Sequence, residues 1–258
     1  MQRYFVKPEQ MSNHTVVIEG DDVAHITRVM RMRKGDQIIC SNGQGRDVLA
    51  EIDSVQGQVV LANILEELPA SRELPVHVTI AQSLPKGEKM DWIVQKSTEL
   101  GARCIIPFIS ARTVVQWDTS KISKRLHRWQ RIAKEAAEQA QRSILPIIET
   151  PVDWSQLIAK SREMNLVMLA YEGEGTTPLN QVLPACQPGG NILLVIGPEG
   201  GFEPKEVERA MASGMKAVSL GRRILRTETA GLAAASGKDL PRQIGPRHQP
   251  ATQHHVLH

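Results

Sequence analysis

The sequence predicts an α/β chain in two parts, a small N-terminal β-barrel and a larger domain built on a mostly parallel sheet. Three observations carry this. The first 70 residues hold short apolar strand candidates separated by turn signals at the spacing of a small barrel. Residues 66–75, polar and twice interrupted by proline, read as a linker. From Val76 apolar strands alternate with amphipathic helices, the rhythm of a parallel sheet. The expected boundaries are 1–72, 73–234 and a divergent tail, 235–258.

In the first part, 15–19, 37–40, 48–52 and 58–65 read as strands, and Asn42-Gly43 is a hairpin-type turn signal. Residues 21–32 between them read as one short helix. In the second part, 76–81 is a buried strand. Residues 88–100 form a helix with Met90, Ile93, Val94, Ser97 and Leu100 on one face, ended by Gly101. Residues 104–108 are the next strand, and Leu126, Trp129, Ile132, Ala133, Ala136, Ala137 and Ala140 recur at helical spacing. Strands at 166–170, 192–196 and 217–220 alternate with helices at 206–211 and from Thr227 to Ala234. No internal repeat is visible. The tail has three prolines, half of the eight histidines and no apolar period, so it is expected to be disordered.

Composition narrows the class. With 258 residues, 41% of them hydrophobic, the chain can fill a core. No apolar run approaches the roughly 18–20 residues of a membrane span, and the first residues carry no signal-type apolar region. A cytoplasmic protein without membrane contact is expected. Cys40, Cys104 and Cys186 are odd in number and far apart, as reduced thiols are. No metal is expected, because ligands at useful spacing are missing from the part expected to fold. The net charge of +3 is uneven: −2 over 1–72, +3 over 73–234 and +2 in the last 24 residues.

Five segments can carry chemistry. Residues 192–202 run an apolar strand into Gly197-Pro198-Glu199-Gly200-Gly201, at the strand end where α/β sheets bind ligands. It is neither a Walker loop nor a dinucleotide fingerprint, and an ordinary strand-to-helix turn has the same pattern. Residues 218–231 repeat the arrangement, with Gly221, then Arg222, Arg223 and Arg226, then a helix that Thr227 can cap. Lys86-Gly87-Glu88-Lys89 offers two lysines to phosphate, or is a solvated helix start. Residues 121–142 hold seven basic groups against Glu135 and Glu138, a nucleic-acid footprint or a solvated face. Residues 25–36 form a basic cluster in an otherwise acidic half.

Together, residues 25–36, 86–90, 95–101, 135–139, 196–201 (Ile-Gly-Pro-Glu-Gly-Gly) and 220–230 (Leu-Gly-Arg-Arg-Ile-Leu-Arg-Thr-Glu-Thr-Ala) resemble the bacterial 16S ribosomal RNA uracil-N3 methyltransferases, of the SPOUT superfamily. Order and spacing agree over about residues 1–234, and the last two motifs joined are highly specific. The resemblance implies a PUA-like barrel that helps hold RNA, a SPOUT domain with a C-terminal trefoil knot, a homodimer, and S-adenosylmethionine bent among the knot loops. The implied substrate is a uridine near the decoding region of 16S rRNA, in the assembled small subunit.

The resemblance also implies site residues. Gly197, Glu199, Gly200, Gly201, Leu220, Gly221, Ile224 and Leu225 would cradle the cofactor, with Ile196, Ser219 and Thr229 beside them and Leu169 and Ala170 lining the pocket. RNA would meet Arg28, Arg31, Arg33, Lys34, Lys86, Lys89, Arg125, Arg128, Arg222 and Arg223. Uracil N3 is protonated at neutral pH, so the enzyme must assist proton loss or stabilise the anion. Arg226 is the candidate for stabilising it, and Glu228 for acting as base or orienting Arg226.

The sequence departs from the family after Ala234. An apolar helix that completes the knot is replaced by Gly237, Pro241 and a histidine-rich run, which oppose helix formation. An incomplete last helix and weaker stability are expected. The competing reading is a non-catalytic RNA-binding or ribosome-assembly protein with a damaged methyltransferase domain. A related knotted enzyme acting on ribose or transfer RNA is disfavoured by the PUA-like segment and the 225–230 motif.

Overall fold

The structure, a computed structural model, describes residues 1–69, 72–114 and 119–235, with backbone alone at 119–121. The expected tail from residue 236, linker residues 70–71 and the Lys121 side chain lie outside the described residues.

The N-terminal part is one curled sheet of β1 (Arg3–Phe5), β2 (Thr15–Glu19), β3 (Gln37–Ser41), β4 (Asp47–Gln56) and β5 (Val59–Leu68), ordered β1-β3-β4-β5-β2. Register shifts between β4 and β5 at Leu49/Ala50 and Ile52/Ser54 bend the long hairpin. The concave face buries Tyr4, Ile18, Ile26, Ile38 and Ile52. Among the described residues β1 and β2 stay as the sheet's edges, so the expected barrel is a curled sheet here. β5 continues to Leu68, three residues into the expected linker, because Glu66, Glu67 and Leu68 pair with the start of β4. The expected helix over 21–32 is shorter: α1 (Asp21–Ala24) passes into a π-helical turn, His25–Val29, and the chain leaves it at Arg31 with φ +53°.

The second part is an eight-stranded, all-parallel sheet. Its strands are β6 (His77–Ser83), β7 (Cys104–Ile109), β8 (Ile147–Ile148), β9 (Val152–Asp153), β10 (Leu166–Ala170), β11 (Thr177–Pro178), β12 (Asn191–Ile196) and β13 (Lys216–Ser219). The order is β11-β13-β10-β12-β6-β7-β8, with β9 also on β7. Helices α2 (Lys89–Glu99), α3 (Thr119–Gln139), α4 (Trp154–Ser161), α5 (Leu179–Val182), α6 (Pro204–Ala212) and α7 (Thr227–Ala235) complete it. Both sheet faces are covered, which is why the strands are apolar throughout. Along β12, Ile192, Leu194 and Ile196 join the core that includes α2, α3 and α7 residues. Leu193 and Val195 join the opposite core with residues of α4 and α6.

A buried polar clamp joins the two parts. Arg3 Nη1 lies 2.7 Å from Asp47 Oδ2 and donates to the Arg142 carbonyl. Ser143 Oγ donates to the same Asp47 oxygen at 2.6 Å. The Arg142 guanidinium pairs with Glu73 at 2.7 Å and donates to the carbonyls of Thr98 and Ala102. Glu73 also accepts the backbone N–H of Ser143 and Ile144. Burial is tolerable here because almost every charge meets an opposite charge or a hydrogen-bonding group.

After β13 the chain turns back over the strand ends and lays α7 against α2, β6 and β12. Ala230, Gly231, Ala234 and Ala235 of α7 are buried. No helix among the described residues is long and apolar enough to cross a membrane, and no cluster of three metal-ligating side chains occurs among them.

Candidate functional site

A cavity of about 710 Å³ opens where β10, β12 and β13 end, at the carboxyl edge of the sheet. This is where an open α/β sheet binds its ligands, because diverging loops leave a crevice there. Three loops build it: 170–176 after β10, 197–202 after β12 and 220–226 after β13. Its floor is apolar, from Ile196, Val218, Leu220, Leu225 and Ala230, and its rim is charged.

Of the residues expected at the cofactor, Ala170, Ile196, Gly197, Glu199, Gly201, Ser219, Leu220, Gly221, Ile224 and Leu225 line this cavity. Three do not. Leu169 points through the sheet into the opposite core, since alternate strand residues face opposite sides. Gly200 lies outside the lining and accepts a hydrogen bond from Arg112 Nη1 at 3.0 Å. Thr229 is exposed on the outer side of α7, while its neighbours Thr227 and Ala230 line the cavity.

Thr227, expected to cap the helix, is instead the first residue of α7, and the first-turn N–H groups of Thr229 and Ala230 go to the Arg226 carbonyl. The buried Thr227 Oγ1 donates to the Gly197 carbonyl at 2.6 Å and accepts from Gln82 Nε2 at 2.8 Å. One hydroxyl therefore joins β6, the loop after β12 and the start of α7.

The expected catalytic pair also sits differently. Arg226 is exposed and lines the cavity. The Glu228 carboxylate pairs with Lys89, Oε2 to Nζ 3.2 Å, rather than with Arg226. Burial alone would raise its carboxyl, but its own backbone N–H, Lys89 and the Arg226 charge hold it below the ordinary carboxylate range. Glu199 behaves likewise: burial opposes ionisation, and its backbone N–H, Lys89 and the Lys86 N–H outweigh it. Lys89, placed with the RNA contacts by the sequence, instead sits at 3.1 Å from Glu199 Oε1 on the cavity wall.

The other basic residues divide. Arg222 and Arg223 are exposed at the cavity rim. Arg28, Arg31, Arg33, Lys34, Lys86 and Arg125 are exposed elsewhere, Lys34 pairing with Asp53 at 3.0 Å. Arg128 is held by Asp91, its Nε donating to Oδ2 at 2.7 Å, which makes it part of the α2–α3 packing. Two basic groups of 121–142 face inward as well: Lys134 bridges Asp22 and Glu138, and Arg142 belongs to the clamp.

Sequence reasoning missed Arg112. Its loop is held by a hydroxyl cluster of Ser83, Ser110 and Thr113, and by the Ala111 N–H donated to buried Glu206 at 2.8 Å. This brings the Arg112 guanidinium to the cavity beside Gly200. No local signal in residues 110–114 marks it; only the loop's attachment to α6 does.

The cavity's fit to S-adenosylmethionine can be judged from its walls. Gly201 and Gly221 stand at φ +67° and +119°, backbone that side chains rarely adopt, and a Cβ on either meets nothing within 4 Å. Open space and close backbone approach suit an extended polar ligand. The apolar floor suits a purine, and the Glu199 carboxylate suits a cationic group. The residues present fit the group.

Comparisons with known proteins agree. A family model described as an RNA methyltransferase domain matches residues 72–237, and one described as an RNA methyltransferase PUA domain matches 18–64. Ribosomal RNA small subunit methyltransferase E of Bacillus subtilis is 42% identical over 92% of this chain and 95% of its own length. The Synechocystis protein of that name is 35% identical over 90% of this chain and 75% of its own. The crystal structure of the Neisseria gonorrhoeae enzyme of that name, bound to S-adenosylmethionine, is 34% identical with a TM-score of 0.80, covering 92% of this chain and 95% of that one. With both parts of the chain matched and the strand-end cavity in place, the chain belongs to the ribosomal RNA small subunit methyltransferase E family.

Proposed function

We propose that this protein transfers a methyl group from S-adenosylmethionine to N3 of a uridine in the decoding region of 16S rRNA, acting on the small ribosomal subunit. The observation that carries this is the strand-end cavity, where the 196–201 and 220–226 loops meet below the Arg222, Arg223 and Arg226 guanidinium groups. Family membership supports the reaction and the cofactor.

Gly197, Gly201, Leu220, Gly221 and Leu225 would hold S-adenosylmethionine through backbone groups and apolar contact. When bound, it supplies a methyl group on a sulfonium centre, already activated for transfer. The chain's own task is alignment, because holding two reactants in line removes much of the entropic barrier. Arg226 faces the uracil carbonyl oxygens and stabilises the negative charge that grows there as the N3 proton leaves. Glu228, held below the usual carboxylate range, is a poor proton acceptor and serves to orient the cations around it. The N3 proton passes to solvent at the open mouth. Arg222 and Arg223 at the rim, with Arg28, Arg31, Arg33 and Lys34 between β2 and β3 of the N-terminal part, contact phosphates.

The finer architecture belongs to the same proposal. The N-terminal sheet is a PUA-like module that helps hold RNA. The return of the chain after β13 to α7 is the closing segment of a trefoil knot, two copies form a homodimer, and the protein works in the cytoplasm. Mapping methyl groups on rRNA from cells lacking the protein tests the function. One uridine in 16S rRNA loses its N3 methyl and regains it on complementation. Unchanged 16S rRNA contradicts it.

A further inference from the structure

By sequence the segment 86–89 offers two lysines to phosphate; in the structure the Lys86 side chain is exposed, while its backbone N–H and the Lys89 ammonium bind internally. Glu199 Oε1, from the loop after β12, accepts the Lys86 backbone N–H at 3.3 Å and the Lys89 ammonium at 3.1 Å. The same ammonium lies 3.2 Å from Glu228 Oε2 in the first turn of α7. That carboxylate oxygen is buried and has no hydrogen-bond partner, so Lys89 is the charge that compensates it. One nitrogen on α2 thus holds two carboxylates, one from the loop after β12 and one from the first turn of α7.

We propose that Lys89 is a positioning residue for methyl transfer: its ammonium straps the 197–201 loop, through Glu199, to the start of α7, through Glu228, and so sets where the cofactor cradle and Arg226 stand relative to each other. This rests on the function proposed above.

Two features sharpen the claim. The strap runs beside the Thr227–Gly197 hydrogen bond, so adjacent residues of α7 are tied to the same loop by a neutral and an ionic link. Without the ammonium, Glu199 and Glu228 would face each other as like charges, and the loop and the helix would be pushed apart rather than merely released. The charged groups around Glu228 are Lys89 on α2, Glu199 on the neighbouring loop and Arg226 in the preceding turn. A lysine that only touched RNA would have none of these partners.

The test compares the full-length protein with Lys89→Met, Lys89→Arg and Lys89→Gln. The first readout needs neither cofactor nor RNA: the 13C carboxyl titration of Glu228, assigned with Glu228→Gln. The titration midpoint rises in Lys89→Met and Lys89→Gln and stays low in Lys89→Arg. Calorimetry with S-adenosylmethionine reads an affinity about tenfold weaker in Lys89→Met, as expected for a lost, partly screened charge contact. With small subunits as substrate, kcat falls while KM for the subunit holds, and Lys89→Arg restores most of it. Should Lys89→Met not fold, Lys89→Gln gives the same readings. An unmoved Glu228 midpoint with a raised subunit KM and intact kcat would make Lys89 a phosphate contact and overturn the proposal. A moved midpoint and weakened cofactor binding, with no subunit methylated even by the unaltered protein, would leave the strap standing and remove the function on which its role rests.

Discussion

Replacing Thr227 by valine removes one hydroxyl and keeps the side chain's shape. The residue is 6% exposed, and both of its hydrogen bonds are short, 2.6 Å to the Gly197 carbonyl and 2.8 Å from Gln82 Nε2. Gln82 is fully buried and already carries an unpartnered Oε1; its amide would keep only the bond to the Ser83 carbonyl, at 2.9 Å. The substitution therefore strands one carbonyl and one amide N–H in a site that a valine methyl shields from water. Each unmade buried bond costs about 1–3 kcal/mol, so the expected loss for the two is roughly 2–6 kcal/mol. Urea denaturation reads it as a lower midpoint at unchanged slope. Because the same hydroxyl shapes the loop after β12, affinity for S-adenosylmethionine falls by roughly tenfold, the worth of about 1.4 kcal/mol. A stability loss below about 0.5 kcal/mol, the usual range for neutral surface changes, would refute the reasoning that this hydroxyl joins three elements.

Other parts of the structure make their own predictions. Arg142→Ala leaves Glu73 facing buried backbone without its cation and should cost about 3–5 kcal/mol; calorimetry should then show the two parts melting separately instead of together. Burial pushes the Glu138 carboxyl up to about 7, against the pull of Lys134. A carboxyl raised on folding contributes stability below its unfolded value near 4.5 that is lost as pH rises through about 7. Glu138→Gln should remove that decline, and parallel stability–pH curves for the two proteins would contradict it. Replacing residues 236–258 by an apolar helical end should raise the melting temperature, since Gly237 and Pro241 oppose helix formation in the present sequence; equal melting temperatures would contradict this.

Much of the fold is legible because its strands are strongly patterned. The expected strand over 15–19 is β2 to the residue, and on the expected helix face Met90, Ile93, Val94 and Ser97 are buried, while Leu100 lies half-buried just past the end of α2. The strands at 104–108, 166–170 and 192–196 fall within one residue of those observed, because both-side burial demands unbroken apolar runs. What was missed depends on partners distant in sequence. β1 is three residues long and exists because it pairs in parallel with β3. β8, β9 and β11 are two-residue pairings with no local signature.

At the site, the glycine loops were readable because a strand followed by glycines has a place in any α/β sheet. The roles of charged groups were not. Arg128, Lys134 and Arg142 look alike in a basic helical run, yet they are held by Asp91, Asp22 and Glu73 from three other segments. The partners of Lys89 and the placement of Arg112 are hidden for the same reason: such a contact is specified by two positions, and only one is in view along the chain.

The most direct measurement of the central claim is methyl transfer by the purified protein to small ribosomal subunits lacking the modification, read by mass spectrometry of nucleosides from 16S rRNA. The account predicts N3-methyluridine at one decoding-region position, dependent on S-adenosylmethionine, and about 100-fold slower or worse for Arg226→Ala with the cofactor still bound, the typical cost of removing one charge-stabilising donor. No methylated uridine, or an Arg226→Ala protein as fast as the original, would contradict it.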